Sequence, residues 1–264
     1  AQHYSWTDST VYGIQITFDA TSDLESNEDF LSLNYTDFTG IARIRRFTGT
    51  AFTNFVIDTT SFVLQFTSDA SVQAWGYRFT AAPYVLSCTD FSSLTGDTFS
   101  DTEPHTIESS HQYCDNMDVT QHYTWTDSTV YSLQITFDTL SESENGPDTL
   151  TFSYTDFTGV ARTKQFKGTE FTNFVLDATE FDLTFHTDGS VTYWGYRFAA
   201  SPYVQSCADF TSDTGATFSG TDSHTIESPH SYCDNAEITQ HYVWTDSTVY
   251  GIQITFDATS DLES

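Results

Sequence analysis

The side chains able to do chemistry return along this chain at fixed intervals. Cys88 and Cys114 lie 26 residues apart, and Cys207 and Cys233 repeat that spacing. With no CxxC among them, they read as one structural disulfide per repeat, which places the chain in an oxidising compartment. Zinc is the runner-up, weakened because neither pair has a second close cysteine or an HxxxH beside it. The histidines recur in the same way, as His3, His122 and His241, as His105 and His224, and as His111 and His230. Set beside Tyr and Trp, they read as packed structural residues ahead of metal ligands or acid–base groups. His186 faces Thr67 in the other copy and so belongs to no shared site.

Carboxylates dominate the charge: 37 acidic residues against 8 basic ones give −29. That balance argues against nucleic acid and anionic membranes as partners. It can also recruit divalent cations, although most of these carboxylates read as solvated surface. Six of the basic residues fall in two equivalent places, Arg43, Arg45 and Arg46, then Arg162, Lys164 and Lys167. Each strip is either a docking site for an acidic neighbour or anionic glycan, or an edge strand whose charge deters aggregation. No catalytic set emerges: GxSxG, a phosphate loop and HExxH are all missing, and the acidic pairs are too many and too turn-like to nominate a glycosidase dyad. The expectation is a protein that is not an enzyme. Asn34-Tyr35-Thr36 forms a glycosylation sequon, with Ser153 as the counterpart of Asn34. No run is long and apolar enough to span a bilayer, and the first residues lack the pattern of a signal peptide.

These residues are held by a repeat. QHYSWTDSTVYGIQITFD begins at Gln2, returns almost unchanged at Gln121, and returns again at Gln240, a step of 119 residues each time. Trp75 answers Trp194, Cys88 answers Cys207 and Cys114 answers Cys233, so no insertion breaks the register. Residues 240–264 match residues 2–26 at 24 of 25 positions, closer than either matches the middle copy. That suggests an alternating series with a 238-residue period. A unit of 119 residues is large enough for its own core.

Within each unit, apolar and polar residues alternate in short runs. Ile14, Ile16 and Phe18 form one, then Leu31, Leu33 and Tyr35, the basic run 41–47, residues 54–57, Phe62, Leu64 and Phe66, and Trp75, Tyr77 and Phe79 up to a break at Pro83. The second unit rewrites them as Leu133/Ile135/Phe137, Leu150/Phe152/Tyr154, Phe181/Leu183/Phe185 and Trp194/Tyr196/Phe198. No helix is predicted. Short alternating strands with turn signals between them read as an all-β, sandwich architecture. The stretches 88–113 and 207–232, rich in Ser, Thr, Asp and Gly, have the composition of flexible linkers, but the cysteine at each end argues that they are tied down. With 23 Phe, 15 Tyr and 5 Trp the chain has far too many aromatics for a disordered acidic tail.

At this point the residues resemble a known family. HTDGSVTYWGYRF (186–198) and FTSDASVQAWGYRF (66–79) look like the end of a CUB domain, where an F-x-S-D-x-S turn leads into an aromatic-Gly-aromatic strand. SHTIESPHSYCDN (223–235) is similar to that family's I-x-S-P-x-Y opening, and ESENGPDTLTF (142–152) to the acidic turn before its D-x-L strand. The resemblance covers nearly the whole repeat. It implies a jelly-roll sandwich and pairings Cys88–Cys114 and Cys207–Cys233; the alternative, Cys114–Cys207, would close a loop of 93 residues. It also implies three units: 1–87 lacking its opening segment, 88–206 complete, and 207–264 the opening of a third. The family's second disulfide has no counterpart, because Thr48 and Lys167 stand where its cysteine is expected.

Many CUB domains hold calcium between the acidic turn, the D-x-L aspartate and the S-D-x-S aspartate. Carried over, these are Glu144, Asp148 and Asp188 in the complete unit and Glu25, Asp29 and Asp69 in the first, with Ser71 and Ser190 nearby. Glu263 would open a third set. Three carboxylates from two adjacent turns suit a hard cation that prefers oxygen. The functional expectation is an extracellular structural array, associating with copies of itself in a fibre, sheath or adhesive and continuing in both directions. The alternative is a calcium-dependent module binding glycan or protein.

Overall fold

The computed structural model describes residues 1–8, 10–203, 207–221, 224–226, 228–229, 233 and 236–256. The first unit contains β1 (Gln2–Ser5), β2 (Gly13–Phe18), β3 (Phe30–Thr36), β4 (Ala42–Phe47), β5 (Phe55–Ile57), β6 (Ser61–Thr67) and β7 (Phe79–Tyr84). They form two antiparallel sheets, β1-β6-β3-β4 and β5-β2-β7. The second unit opens with α1 (Cys88–Ser92), β8 (Gly96–Phe99) and β9 (His105–Glu108). It continues with β10 (Asp118–Trp125), β11 (Leu133–Phe137), β12 (Thr149–Thr155), β13 (Ala161–Phe166), β14 (Phe174–Leu176), β15 (Glu180–His186) and β16 (Arg197–Pro202). Its sheets are β13-β12-β15-β10-β8 and β14-β11-β16-β9. Beyond them lie α2 (Cys207–Ser212), β17 (Thr217–Phe218) and β18 (Val243–Trp244).

The architecture is the β-sandwich that the alternation predicts. Successive strand residues point to opposite faces, so Leu150 and Phe152 of β12 and Phe181, Leu183 and Phe185 of β15 all turn inward. They meet Ile135 of β11 and Phe198 of β16 from the other sheet. Phe137 packs edge-on against Phe166, Phe171 and Phe198 at 5.0–5.3 Å between ring centroids, a geometry that adds to simple burial. Each fully buried ring contributes about 1.5–3 kcal/mol relative to exposure. The turns are also written locally. Asp37 Oδ1 accepts the N–H groups of Thr39 and Ile41, and Gly40 takes φ +85°, where a side chain would be strained. Asp156, Thr158, Val160 and Gly159 repeat this turn between β12 and β13.

The sequence reading needs correction in three places. Two short helices are present where none was predicted. Ser87 caps α1 by accepting the Asp90 N–H, and Phe91 is buried against Phe185 and Tyr196. The stretch 88–113 is tied down, as the cysteine at each end argues: α1, β8 and β9 build it into the sandwich. The aromatic run at 75–79 is mostly loop. Gly76 and Gly195 sit at φ +96° and +99° and make only single bridges, to Asp23 and Glu142. β7 begins at Phe79 and passes through Pro83 at the sheet edge, where a missing N–H is tolerated. Finally, β10, on the QHYTW motif itself, is a strand that the alternating runs omitted. It turns Val119, Gln121, Tyr123 and Trp125 inward.

The two units touch through polar and aromatic groups. Thr106 on β9 donates its hydroxyl to Asp58 at 2.7 Å. Arg197 donates to the Tyr12 carbonyl at 3.0 Å and lies 4.6 Å from the Phe38 ring. Tyr12 packs edge-on against Trp194 and His111. Beyond the second unit, Thr225 donates to Asp177 at 2.6 Å.

Candidate metal centre

One turn after β11 and another after β15 bring three carboxylates together in the second unit. Glu144, Asp148 and Asp188 each place an oxygen within 4.8 Å of the others, and Glu25, Asp29 and Asp69 do the same in the first unit. Asp148 is fully buried, Glu144 and Asp188 half-buried. Hydrogen bonds fix the second set. Asp148 Oδ1 accepts the Asp188 N–H at 2.8 Å, and its Oδ2 accepts the Tyr113 hydroxyl at 2.5 Å. The same phenol oxygen accepts the Glu144 N–H at 3.0 Å. Ser190 donates its N–H to Asp188 at 2.8 Å, and its hydroxyl bridges Asp188 and Glu144 at 2.9 and 3.3 Å.

The first set repeats the other hydrogen bonds. Asp29 accepts the Asp69 N–H at 3.1 Å, and the Ser71 hydroxyl reaches Glu25 and Asp69 at 2.8–2.9 Å. The Ser71 N–H and then its hydroxyl hold the Asp69 carboxyl below the usual range. Tyr113 is the residue that sequence reasoning missed. Its signal was the Tyr-Cys doublet shared by positions 113–114 and 232–233. Burial, and then its bond to Asp148, push the phenol far above its ordinary value, so it stays a donor to the carboxylate at any physiological pH. Glu263 lies outside the described residues.

The donor set fits a hard divalent cation. All its side-chain oxygens are carboxylate or hydroxyl, and no described ion pair involves any of the six carboxylates. In the second, more enclosed set, three negative oxygens this close repel one another by on the order of 3 kcal/mol per pair before solvent screening. A cation among them would reverse that sign, with backbone oxygens and water completing six to eight ligands.

The other singled-out residues sort differently. Each unit's cysteines pair within its opening segment, Cys88 with Cys114 and Cys207 with Cys233, at Cα separations of 6.0 and 5.7 Å. β4 and β13, which carry the basic strips, are edge strands. Yet Arg43 and Arg162 are held by their own turns, donating from Nε to Asp37 and Asp156 at 2.7 Å. Burial works to raise those two carboxyls, but the threonine hydroxyls, backbone N–H groups and guanidinium groups outweigh it and lower both. Arg45 and Arg46 lie over Phe55 and Phe30, and Lys164 over Phe174 at 4.3 Å. Burial lowers Lys164. Lys167 is half-buried at the end of β13. Neither strip is a row of unengaged cations. Asn34 sits on the inner strand β3, its amide donating to the Val63 carbonyl at 3.4 Å. Three of the histidines are engaged structurally: His105 stacks on Phe99 at 3.7 Å, His111 on Trp194 at 3.8 Å, and His122 meets Asp182 at 2.8 Å.

Sequence reasoning had no signal for a cleft of about 750 Å³ between the first and second units. Tyr35, Tyr84, Phe99, Asp58, Arg45 and Arg197 are among its lining. Burial raises the Asp58 carboxyl, partly offset by the Thr106 hydroxyl.

Sandwich, paired cysteines and twin carboxylate sets together define a tandem, disulfide-braced β-sandwich protein with two candidate cation sites. Among solved structures the chain is similar to the CUB1-EGF-CUB2 domains of human MASP-1/3 (14% identity, 76% of this chain and 92% of that one, TM-score 0.36). It is also similar to the same region of rat MASP-1 (13%, 75% and 89%, TM-score 0.35), and to the MASP-1 CUB2 domain bound to Ca²⁺ (14%, 40% and 98%, TM-score 0.34). No family model and no curated protein matches the chain. No helix among the described residues is long and apolar enough to cross a membrane.

Proposed function

We propose that the chain is an extracellular structural repeat protein, a run of calcium-stiffened β-sandwiches that forms or decorates a fibre, sheath or adhesive. The observation that carries this is the junction. Thr106 meets Asp58, and Thr225 meets Asp177, so the same contact recurs with donor and acceptor both shifted by 119 residues. A contact that follows the sequence period gives each unit the same neighbour in the same orientation, as in quasi-one-dimensional repeat proteins. Two disulfides support an oxidising, extracellular setting. Calcium is the cation whose ligand preferences suit the carboxylate sets, and no catalytic role belongs to this reading.

Small-angle scattering in calcium tests it. The expected profile is that of a stiff, elongated particle, and Asp58→Ala with Asp177→Ala should make it flexible. A profile of freely tumbling units in the unaltered chain would refute the array. A second reading, a module binding glycan or protein, is favoured by the aromatic and charged cleft between the units. Measurable glycan affinity that Tyr35→Ala or Tyr84→Ala abolishes would select it.

A further inference from the structure

The two carboxylate sets are built on turns that differ in how they are fastened. The first turn reads Glu25-Ser26-Asn27-Glu28-Asp29 and the second Glu144-Asn145-Gly146-Pro147-Asp148. In the first, the Thr48 hydroxyl accepts the Asn27 N–H at 2.9 Å and donates to the Glu25 carbonyl at 3.2 Å. The Asp29 N–H closes the turn on the same carbonyl at 3.2 Å. Lys167 replaces Thr48 in the second unit, and among the described residues none of these three bonds has a counterpart there.

This loosening falls on the one asparagine–glycine pair in the chain. Asn145 and Gly146 are both exposed. Among the described residues neither the Asn145 carboxamide nor the Gly146 N–H has a hydrogen-bond partner. The Asn145 side chain lies over Gly168, where an added Cβ would stand 3.3–3.4 Å from its Cβ and Cγ, so the glycine leaves it room to turn. Nothing lies within 4 Å of where a Gly146 Cβ would stand, and no side chain shields the Gly146 nitrogen. Asn54 and Asn173 are the contrast. Each holds a backbone N–H on its carboxamide oxygen at 2.9 Å, and each is followed by phenylalanine.

We propose that Asn145 is a site of spontaneous self-modification on the second carboxylate turn. Asparagine is among the thermally labile side chains, and here its neighbour supplies the nucleophile. The Gly146 nitrogen, having given its proton to a solvent base, attacks Cγ of Asn145. The bond from Cγ to the amide nitrogen then breaks, and that nitrogen takes up a proton and leaves as ammonia. A five-membered succinimide remains, and water opens it in one of two ways, with no change of oxidation state. Addition at Cγ breaks its bond to the Gly146 nitrogen and leaves an aspartate, a fourth carboxylate on the turn. Addition at the main-chain carbonyl leaves the chain running through Cγ. That product is an isoaspartate, which lengthens the path from Glu144 to Asp148 by one methylene. The first unit, with Ser26 and a hydroxyl-held Asn27 N–H, is exempt. The reaction needs only this turn; its effect on a cation rests on the calcium reading.

The test is peptide mass mapping of the oxidised full chain aged in mildly alkaline buffer with chelator, beside the free peptide ESENGPDTLTF. The peptide holding Asn145 should gain one mass unit in both, and isoaspartyl methyltransferase should label it. Asn145→Ser should abolish the gain. Lys167→Thr, which offers the Gly146 N–H the acceptor that the first unit has, should slow it about fivefold, the factor that one ordinary hydrogen bond supplies. Amide exchange at Gly146 verifies that bond. A full chain whose mass holds while the free peptide converts overturns the proposal. So does a gain at other residues alone, or an unslowed Lys167→Thr in which the Gly146 amide is protected. In calcium, the isolated isoaspartyl form should show less of the rise in Tm than the fresh chain, and an undiminished rise would overturn that consequence. A fresh chain that calcium leaves unchanged would refute the cation reading and leave the mass gain standing.

Discussion

Asp148→Asn separates a cation site from an acidic turn because it reverses the sign of one interaction while preserving shape. The carboxylate is fully buried and accepts from the Asp188 N–H and the Tyr113 hydroxyl. Asparagine keeps the first bond through its oxygen but presents an NH₂ to the phenol, which must turn its proton elsewhere. That mismatch costs about 1 kcal/mol. Against it stands relief of two repulsions, to Glu144 and Asp188, each on the order of 3 kcal/mol before screening. In chelator the variant should therefore match or exceed the unaltered protein in stability. With calcium at a hundred times its dissociation constant, the unaltered unit gains about 2.7 kcal/mol by mass action. For a unit of this size that is a rise of about 10 °C in Tm. The variant should lose nearly all of it, so the order of the two proteins inverts between chelator and calcium. Scanning calorimetry reads the transitions, and hydrogen exchange in β12 and β15 assigns the second unit's. Equal destabilisation of the variant in both conditions would show that Asp148 serves only as a hydrogen-bond acceptor, and calcium would drop out of the account.

Phe91→Ala should destabilise the second unit by about 3–5 kcal/mol, because the ring is wholly enclosed; a chemical denaturation midpoint unchanged by it would return residues 88–113 to the status of a linker. Removing Cys88–Cys114 by Cys88→Ser with Cys114→Ser frees a 26-residue loop and should cost about 3.5 kcal/mol, measured by urea unfolding. The depressed carboxyl of Asp156 gives a pH signature. Its stabilisation is fully present above the unfolded value near 3.8 and disappears as pH falls through the lower folded value, so Asp156→Asn should flatten the acid limb of the stability curve. A limb of unchanged slope would place the acid sensitivity elsewhere.

Much of the sandwich was legible because alternation over five to seven residues leaves a period that sequence displays, as in Phe181, Leu183 and Phe185. The carboxylate sets were legible only through resemblance, since Asp148 and Asp188 are 40 residues apart and no local pattern links them. What stayed hidden has physical causes. β8 and β9 are four residues long and α1 five, too short for a period to stand out from a Ser- and Thr-rich background. The Trp194, Tyr196 and Phe198 alternation reflects where rings pack, yet Gly195 breaks the strand. A Cβ there would come within 2.1 Å of Ser109 Oγ, so the glycine answers to close approach as well as to its φ. The basic strips show their charge in sequence but not their partners, because only the folded turn brings Asp37 back to Arg43.

The disulfide in the opening segment has a mechanical consequence. Pulled from its ends, a unit can unravel only along the part of its contour that is not closed in a covalent ring. Cys88–Cys114 takes the intervening 26-residue separation out of the extensible length, leaving its Cα atoms 6.0 Å apart. Rupture of the second unit in a force–extension trace should then release roughly 80 Å less than its reduced form would. Adding a thiol reductant would lengthen that step, while the step of the first unit, whose residues 1–87 hold no cysteine, would keep its length.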